Sequence, residues 1–297
     1  MMDEKTPKKV EPFAYRHIYG PVPSRRLGRS LGIDLVPHKT CTYDCIYCQL
    51  GRTTNKTCER KEYVGIADVL AELEAKLAFG PAPDYISLAG SGEPTLNLRI
   101  GELIEGIKSM TGIPVAVLTN GSLLWQDDVR AALMEADLVL PSLDAGDGGM
   151  FRYVNHPHRD IAFETMVDGL GEFIRVFPQS VWLEVFLLAG VTGIPSEIEK
   201  IGAIVRKIRP QRVQLNTVFR PPAEEFADPV SADQLESFKN LLPGTVEVIS
   251  SHDRSVPPVS DAGRSMAPEI ISLLKRRPCT LQGVSSGLAL SPVDVSK

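Results

Sequence analysis

Cys41, Cys45 and Cys48 fall within eight residues of a 297-residue chain, spaced C-x3-C-x2-C. Thiolates at that density are metal ligands. Iron–sulfur clusters and structural zinc sites both take four ligands as a rule. Here there are three, the remaining Cys58 and Cys279 are far apart, and no H-x3-H follows. A zinc site would therefore lack its fourth ligand. An odd number of cysteines, five, also argues against a disulfide framework. A cubane cluster on three thiolates has one iron with an open position, which invites a ligand that an electron will change. The spacing by itself establishes a thiolate metal site, and Cys58 and Cys279 read as ordinary free cysteines.

Other residues with chemical potential recur at turn positions. Gly90-Ser91-Gly92-Glu93-Pro94 combines glycines, which allow close backbone approach to a ligand, with one carboxylate. Thr119-Asn120-Gly121 reads as a ligand contact, Thr119 ahead of Asn120, with an Asn-Gly turn as the alternative. Ser142 and Asp144 lie two apart and, by strand alternation, point the same way. Glu184 interrupts an apolar run, and a buried carboxylate requires a partner. Gln214 and Asn216 share a strand face, and with Glu184 they read as contacts for a cofactor or a substrate. Arg25, Arg26 and Arg29 punctuate a Gly/Pro-rich loop, and Arg152, His156, His158 and Arg159 form a second basic loop. Arg220 follows the last of the main strands. Such groups clamp phosphate or carboxylate, or else are solvated loop residues.

The elements that must position these residues alternate between strand and helix. Strands are expected over 30–36, 84–89, 113–118, 137–143, 181–188 and 212–218. Helical faces fall at Ile66/Val69/Leu73, Ile100/Leu103/Ile107, Val129/Leu133, Phe163/Val167/Leu170/Ile174, Ile198/Ile201/Val205/Ile208 and Leu235/Phe238/Leu242. Six βα units with near-continuously apolar strands imply a parallel sheet covered on both faces. A partial (βα)6 TIM-like barrel is the expected α/β fold, and a flavodoxin-like open sheet is the alternative. In a βα barrel the chemistry sits at the carboxyl ends of the strands, where the cysteine loop and the glycine loop both fall.

Residues 1–17 read as a disordered or extended N-terminus and 18–250 as the barrel, with Val246–Ile249 as one further strand. Residues 251–267 read as a Pro-rich linker and 268–297 as an incomplete segment resembling a helix-turn-helix, as in a truncated product. The start carries no apolar h-region and no run reaches transmembrane length, so no membrane association and a cytoplasmic location are expected. A hydrophobic content of 43% suits one large core, and a net charge of −5 argues against a generally basic nucleic-acid surface.

Three further stretches narrow the reading. Tyr19-Gly-Pro-Val-Pro-Ser-Arg-Arg-Leu-Gly, Phe151-Arg-Tyr-Val-Asn-His-Pro-His and Leu215-Asn-Thr-Val-Phe-Arg-Pro-Pro accompany the C-x3-C-x-Y-C motif. Together these resemble the radical S-adenosylmethionine (radical SAM) superfamily, in a group distantly similar to the tRNA wybutosine-synthesis enzymes, over roughly residues 18–245. The resemblance implies a [4Fe–4S] cluster on Cys41, Cys45 and Cys48 with S-adenosylmethionine at the open iron. It also implies reductive cleavage to a 5′-deoxyadenosyl radical and hydrogen abstraction from a substrate. It assigns Tyr47 to adenine, Gly90, Ser91, Gly92 and Glu93 to the methionine ammonium, and Ser142 to the carboxylate or ribose. Thr119, Asn120, Asp144 and Glu184 are further cofactor candidates. No lysine matches those that the wyosine enzymes use for pyruvate. An electron donor such as flavodoxin or ferredoxin is implied. An anionic substrate, RNA or tRNA foremost, is expected at Arg25, Arg26, Arg152, His156, Arg159, Gln214, Asn216 and Arg220. The competing readings are an iron–sulfur redox sensor with a nucleic-acid-binding tail and a radical enzyme acting on a protein or peptide.

Overall fold

Each of four predicted helical faces is buried in the structure, a computed structural model that describes residues 15–78, 82–249 and eight helical residues between 267 and 295. Helix α1 (Ile66–Leu77) buries Ile66, Val69 and Leu73, and α2 (Ile100–Met110) buries Ile100, Leu103, Ile104 and Ile107. Helix α5 (Phe163–Val176) and α6 (Pro195–Ile208) do the same with Phe163, Met166, Leu170 and Phe173, and with Ile198, Ile201 and Val205. Spacings of three and four keep these side chains on one stripe, which packs on the sheet.

The sheet has eight strands in the order β1 (Ile18–Ser24), β2 (Gly28–Ile33), β5 (Tyr85–Leu88), β6 (Val115–Thr119), β7 (Leu138–Pro141), β8 (Ser180–Leu187), β9 (Arg212–Thr217) and β10 (Val246–Val248). All neighbours from β2 to β10 are parallel, while β1 runs antiparallel to β2. Two-residue strands β3 (Thr40–Cys41) and β4 (Asn55–Lys56) pair with each other around the cysteine loop. The shorter helices are α3 (Asp127–Ala132), α4 (Gly148–Asn155) and α7 (Ala232–Phe238).

Curling of the sheet is visible in its side chains. In a flat sheet β2 and β9 would stand five spacings apart, about 24 Å. Yet Arg25, in the β1–β2 turn, bonds Asn216 of β9 at 3.2 Å, and Arg26 reaches Glu184 of β8 at 2.5 Å. The strands therefore wrap around a shared lumen, and the open flavodoxin-like sheet is not the fold. The lower lumen is filled by Leu27, Ala116, Leu138 and Leu140, with Trp182 against them.

Two segments differ from expectation. The stretch around Gly20 to Ser24, expected as loop, is strand β1, because it pairs with β2 from Ile18↔Ile33 to Ser24↔Gly28. Residues 148–155, expected as a loop, form α4, whose Asp147 side chain accepts hydrogen bonds from Gly149 N and Met150 N. Residues 250–266, which hold all but the last residue of the expected linker, lie outside the described residues. Within the segment expected to resemble a helix-turn-helix, Val284 is buried against Tyr19 and Val22, with Ile270 and Val295 beside it. That contact ties Val284 to the barrel's first strand. No helix among the described residues is long and apolar enough to cross a membrane.

Candidate functional site

The loop between β2 and α1 carries the three cysteines and is held from two sides. On one side it joins the glycine loop after β5: Lys39 N donates to Ser91 O at 2.6 Å and Glu93 N to Thr40 O at 3.1 Å. Gly92 makes that approach possible, because a Cβ there would fall 1.8 Å from the Thr40 carbonyl oxygen. Gly90 adopts φ +126, a conformation that disfavours side chains, and a Cβ would meet Asp34 Oδ1 at 2.1 Å. On the other side the loop is capped by α4. The last carbonyls of a helix lack partners within it. Here Val154 O accepts from Ile46 N and Asn155 O from Asp44 N, each at 3.0 Å.

Cys41, Cys45 and Cys48 line one cavity of ≈ 390 Å³, together with Gly90, Ser91, Gly92, Thr119, Asn120, Ser142, Tyr47, Glu184 and Asn216. Most of the expected cofactor residues thus meet in one place. Arg25, Arg26 and Arg220 line the same space. Arg152, His156, Arg159 and Gln214 do not. His156 sits beside Arg52 (Nδ1 to Nη1, 3.3 Å) on the outer side of the cysteine loop, and Arg159 is exposed. Gln214 is buried and turns toward Glu247, 3.4 Å away.

Several side chains take positions the sequence did not disclose. Glu93, expected to present its carboxylate to an ammonium group, is 2% exposed and does not line the cavity. Its oxygens accept from Thr95 N (3.1 Å), Thr95 Oγ1 (2.6 Å), Thr119 Oγ1 (2.6 Å) and Asn120 N (2.7 Å). Burial raises its pKa, and these bonds offset only part of that rise. Glu93 thereby ties the glycine loop to the end of β6. Ser142 lines the cavity but Asp144 does not, contrary to the expectation that the two point together. Strand β7 ends at Pro141, so alternation no longer governs Asp144. Asp144 accepts from Tyr47 Oη, Asn155 Nδ2 (2.9 Å) and Phe186 N (3.1 Å). Burial raises its pKa to about 6 against those bonds. The Tyr47 ring stacks on Phe186 with centroids 4.1 Å apart.

Glu184 has the partner its burial demands. Desolvation pushes its carboxyl up, but Arg26, Asn216 Nδ2 (2.6 Å) and Arg25 outweigh it and leave the group below the ordinary glutamate value. Asn216 also bonds Arg25, whose guanidinium lies 3.8 Å above the Phe219 ring.

The donor set fits a polynuclear cluster. The three cysteines are partly exposed, but toward the cavity. Burial pushes the Cys41 thiol up to about 12, with Glu93 adding to the effect, and raises Cys45 and Cys48 as well. Thiolates there require positive charge, which bound iron would supply. Among the described residues no three His, Cys, Asp or Glu side chains gather tightly enough for a single ion. The Tyr43 hydroxyl, buried beside the cysteines, has no hydrogen-bond partner among the described residues. Sequence reasoning missed Tyr43, Asn155 and Lys39, whose ammonium donates to Leu50 O at 2.7 Å. Lys39 and Tyr43 border the cysteines and could have been suspected; Asn155, 110 residues from Cys45, had no local signal.

Comparison with known proteins agrees with this geometry. The family model described as the radical SAM superfamily matches residues 35–204. A UPF0026 protein of Helicobacter pylori is 34% identical over 280 residues, covering 93% of this chain and 88% of its own. A UPF0026 protein of Methanocaldococcus jannaschii is 36% identical, covering 71% and 66%. A Brachyspira hyodysenteriae protein named GTPase Obg is 42% identical, but this chain, 91% covered, spans only 40% of it. Among solved structures, a radical SAM methyltransferase from Sphaerobacter thermophilus matches with a TM-score of 0.54 at 17% identity, covering 74% of this chain and 66% of that one. Streptococcus suis SuiB bound to S-adenosylmethionine matches at 0.53 and 13% identity, covering 74% and 51%. At these identities the structures share the fold.

Proposed function

This chain belongs to the radical SAM superfamily, enzymes whose cofactors are a [4Fe–4S] cluster and S-adenosylmethionine, and from that premise we propose that Cys41, Cys45 and Cys48 hold the cluster and that the substrate is anionic. The observation that carries this reading is the single cavity shared by the three thiols, the glycine loop and the lumen arginines. When bound, the cluster and S-adenosylmethionine supply a one-electron cleavage that releases a 5′-deoxyadenosyl radical able to take hydrogen from a substrate.

The residues of the chain bind, orient and shield. Gly90, Ser91 and Gly92 bring backbone to the cavity wall beside the cysteines. Ser91 Oγ is fixed by Asp34 at 2.9 Å. Thr119 and Asn120 are locked by Glu93, and Ser142 faces them from the end of β7. Leu118, Leu140, Phe186 and Val218 give the cavity apolar walls that exclude water. Four cations line it, Arg25, Arg26, Lys39 and Arg220, against the two carboxylates of Asp34 and Glu184. That excess favours an anion. Outside the cavity Arg52, Lys56 and His156 lie together between the cysteine loop and the end of α4, Arg52 paired with Asp44 and Glu224, and the exposed Arg159 follows α4 beside Asp160. RNA is accordingly the substrate class proposed. The GTPase name of the Brachyspira relative does not carry over, since this chain has no G-x4-G-K-S/T phosphate loop.

The test is anaerobic reconstitution, dithionite reduction and assay for 5′-deoxyadenosine. Alanine at Cys41, Cys45 or Cys48 abolishes the cluster's visible absorbance and cofactor cleavage, while Cys58→Ala keeps both. Equal loss at Cys58 would make the ligand assignment wrong. Bulk tRNA is then titrated at several salt concentrations, with Arg152→Ala and Arg159→Ala alongside. Binding through phosphates weakens steeply as salt rises. Absence of binding at low salt, or binding indifferent to both substitutions, removes RNA and leaves a small anion or a peptide.

A further inference from the structure

Asn155 is the last residue of α4, 2% exposed, and its side-chain amide is committed to the metal-ligand loop. Nδ2 lies 3.4 Å from Cys45 Sγ, 3.4 Å from Tyr47 Oη and 2.9 Å from Asp144 Oδ2. Its backbone oxygen accepts from Asp44 N at 3.0 Å, so main chain and side chain grip the same loop. Asp144 is held in turn by Phe186 N and Tyr47, which fixes the amide's orientation. A second amide, Asn120 Nδ2, stands 3.6 Å from Cys41 Sγ.

We infer that Asn155 is a positioning residue that sets the reduction potential of the cluster through Cys45. The inference rests on the reading of Cys45 as a ligand. Reduction adds negative charge that is shared with the ligand sulfurs. An N–H aimed at sulfur stabilises the reduced form more than the oxidised one, and therefore raises the potential. Burial removes competing water, so the bond is not diluted by solvent. Hydrogen bonds to ligand atoms and their second partners are a general lever on metal sites. Here the lever runs from Asp144 through Asn155 to Cys45, joining the ends of β7 and α4 to the metal loop.

The experiment compares the wild-type chain with Asn155→Leu, which keeps size and removes the donor, and Asn155→Ser, which is small and polar. Each is reconstituted anaerobically, assayed for iron and sulfide, and titrated with reductant while the reduced cluster's EPR signal is followed. Both variants are expected to retain the cluster. At a given potential their reduced-to-oxidised ratio should fall about tenfold, a midpoint about 59 mV lower for one electron. An unchanged midpoint in a cluster-bearing variant overturns the inference. Loss of the cluster from both variants overturns it too, since Asn155 would then only hold the loop together. Failure of the wild-type chain to take up any cluster would instead sink the ligand reading on which the inference rests.

Discussion

Glu93 shows how a residue in the expected motif takes a different job. Its carboxylate receives hydrogen bonds from Thr95, Thr119 and Asn120 and is turned away from the cavity. Glu93→Gln would place an NH2 group against one of those donors and remove the charge that strengthens every bond. A hydrogen bond to a charged group contributes about 1.5–3 kcal/mol, and burial leaves the displaced donor unsatisfied. The expected result is a loss of about 2–4 kcal/mol in urea-induced unfolding of the cluster-free chain. Weaker cofactor binding follows as a consequence of a disturbed Thr119–Asn120 loop. A stability unchanged by Glu93→Gln, with cofactor affinity alone reduced, would return Glu93 to the role of direct ligand.

At the scale of elements, two loops and one helix end build the proposed cluster site. The glycine loop meets the cysteine loop around Gly92, where no side chain intervenes, and a bridge pairs Thr40 with Gly92. Gly92→Ala forces Cβ into backbone, which cannot swing aside as a side chain can. The expected cost is about 2–4 kcal/mol, in the upper range for single substitutions. Cofactor affinity should fall at least tenfold as the two loops part. Calorimetric binding and denaturant unfolding read both quantities, and wild-type values for either would show that the loops move independently. Helix α4 contributes from the opposite side, and its Phe151 ring packs edge-on to Tyr43 with centroids 5.3 Å apart.

For the whole molecule, the Arg26–Glu184 pair spans the lumen from the β1–β2 turn to β8 and so records the curl of the sheet. Removing one partner of a buried pair leaves a lone charge and typically costs about 3–5 kcal/mol. Glu184→Gln is therefore expected to destabilise by an amount toward the lower end, because both side chains keep some exposure to the cavity. An Arg26→Met/Glu184→Leu double variant should recover most of that loss, and additive losses in the cycle would deny the coupling. The pH dependence has a definite sign. Glu184 is depressed below its ordinary value in the folded chain. Its contribution is complete above the ordinary glutamate range and disappears as pH falls through the folded value. Glu184→Gln should lack that acid-limb dependence.

Reading along the chain was enough for the parallel βα architecture, because apolar strands and amphipathic helices write their periodicity locally. It was enough for the three thiols and the glycine loop as well, since each is contained within eight residues. Strand β1 was not legible: it makes its bonds to β2 through a Gly/Pro-rich sequence that pattern alone reads as loop. Nor was α4, whose Gly148 and Gly149 obscure a helix that Asp147 caps. Which polar side chains enter the cavity was decided only by the fold. Ser142 and Asp144 part company because the strand between alternation and loop ends at Pro141. Glu93 turns away from the cavity because donors from its own loop and from the end of β6 converge on it, and Asn155 meets Cys45 across 110 residues. Contacts at that separation depend on how the sheet curls and where α4 ends, and side-chain periodicity carries no information about either.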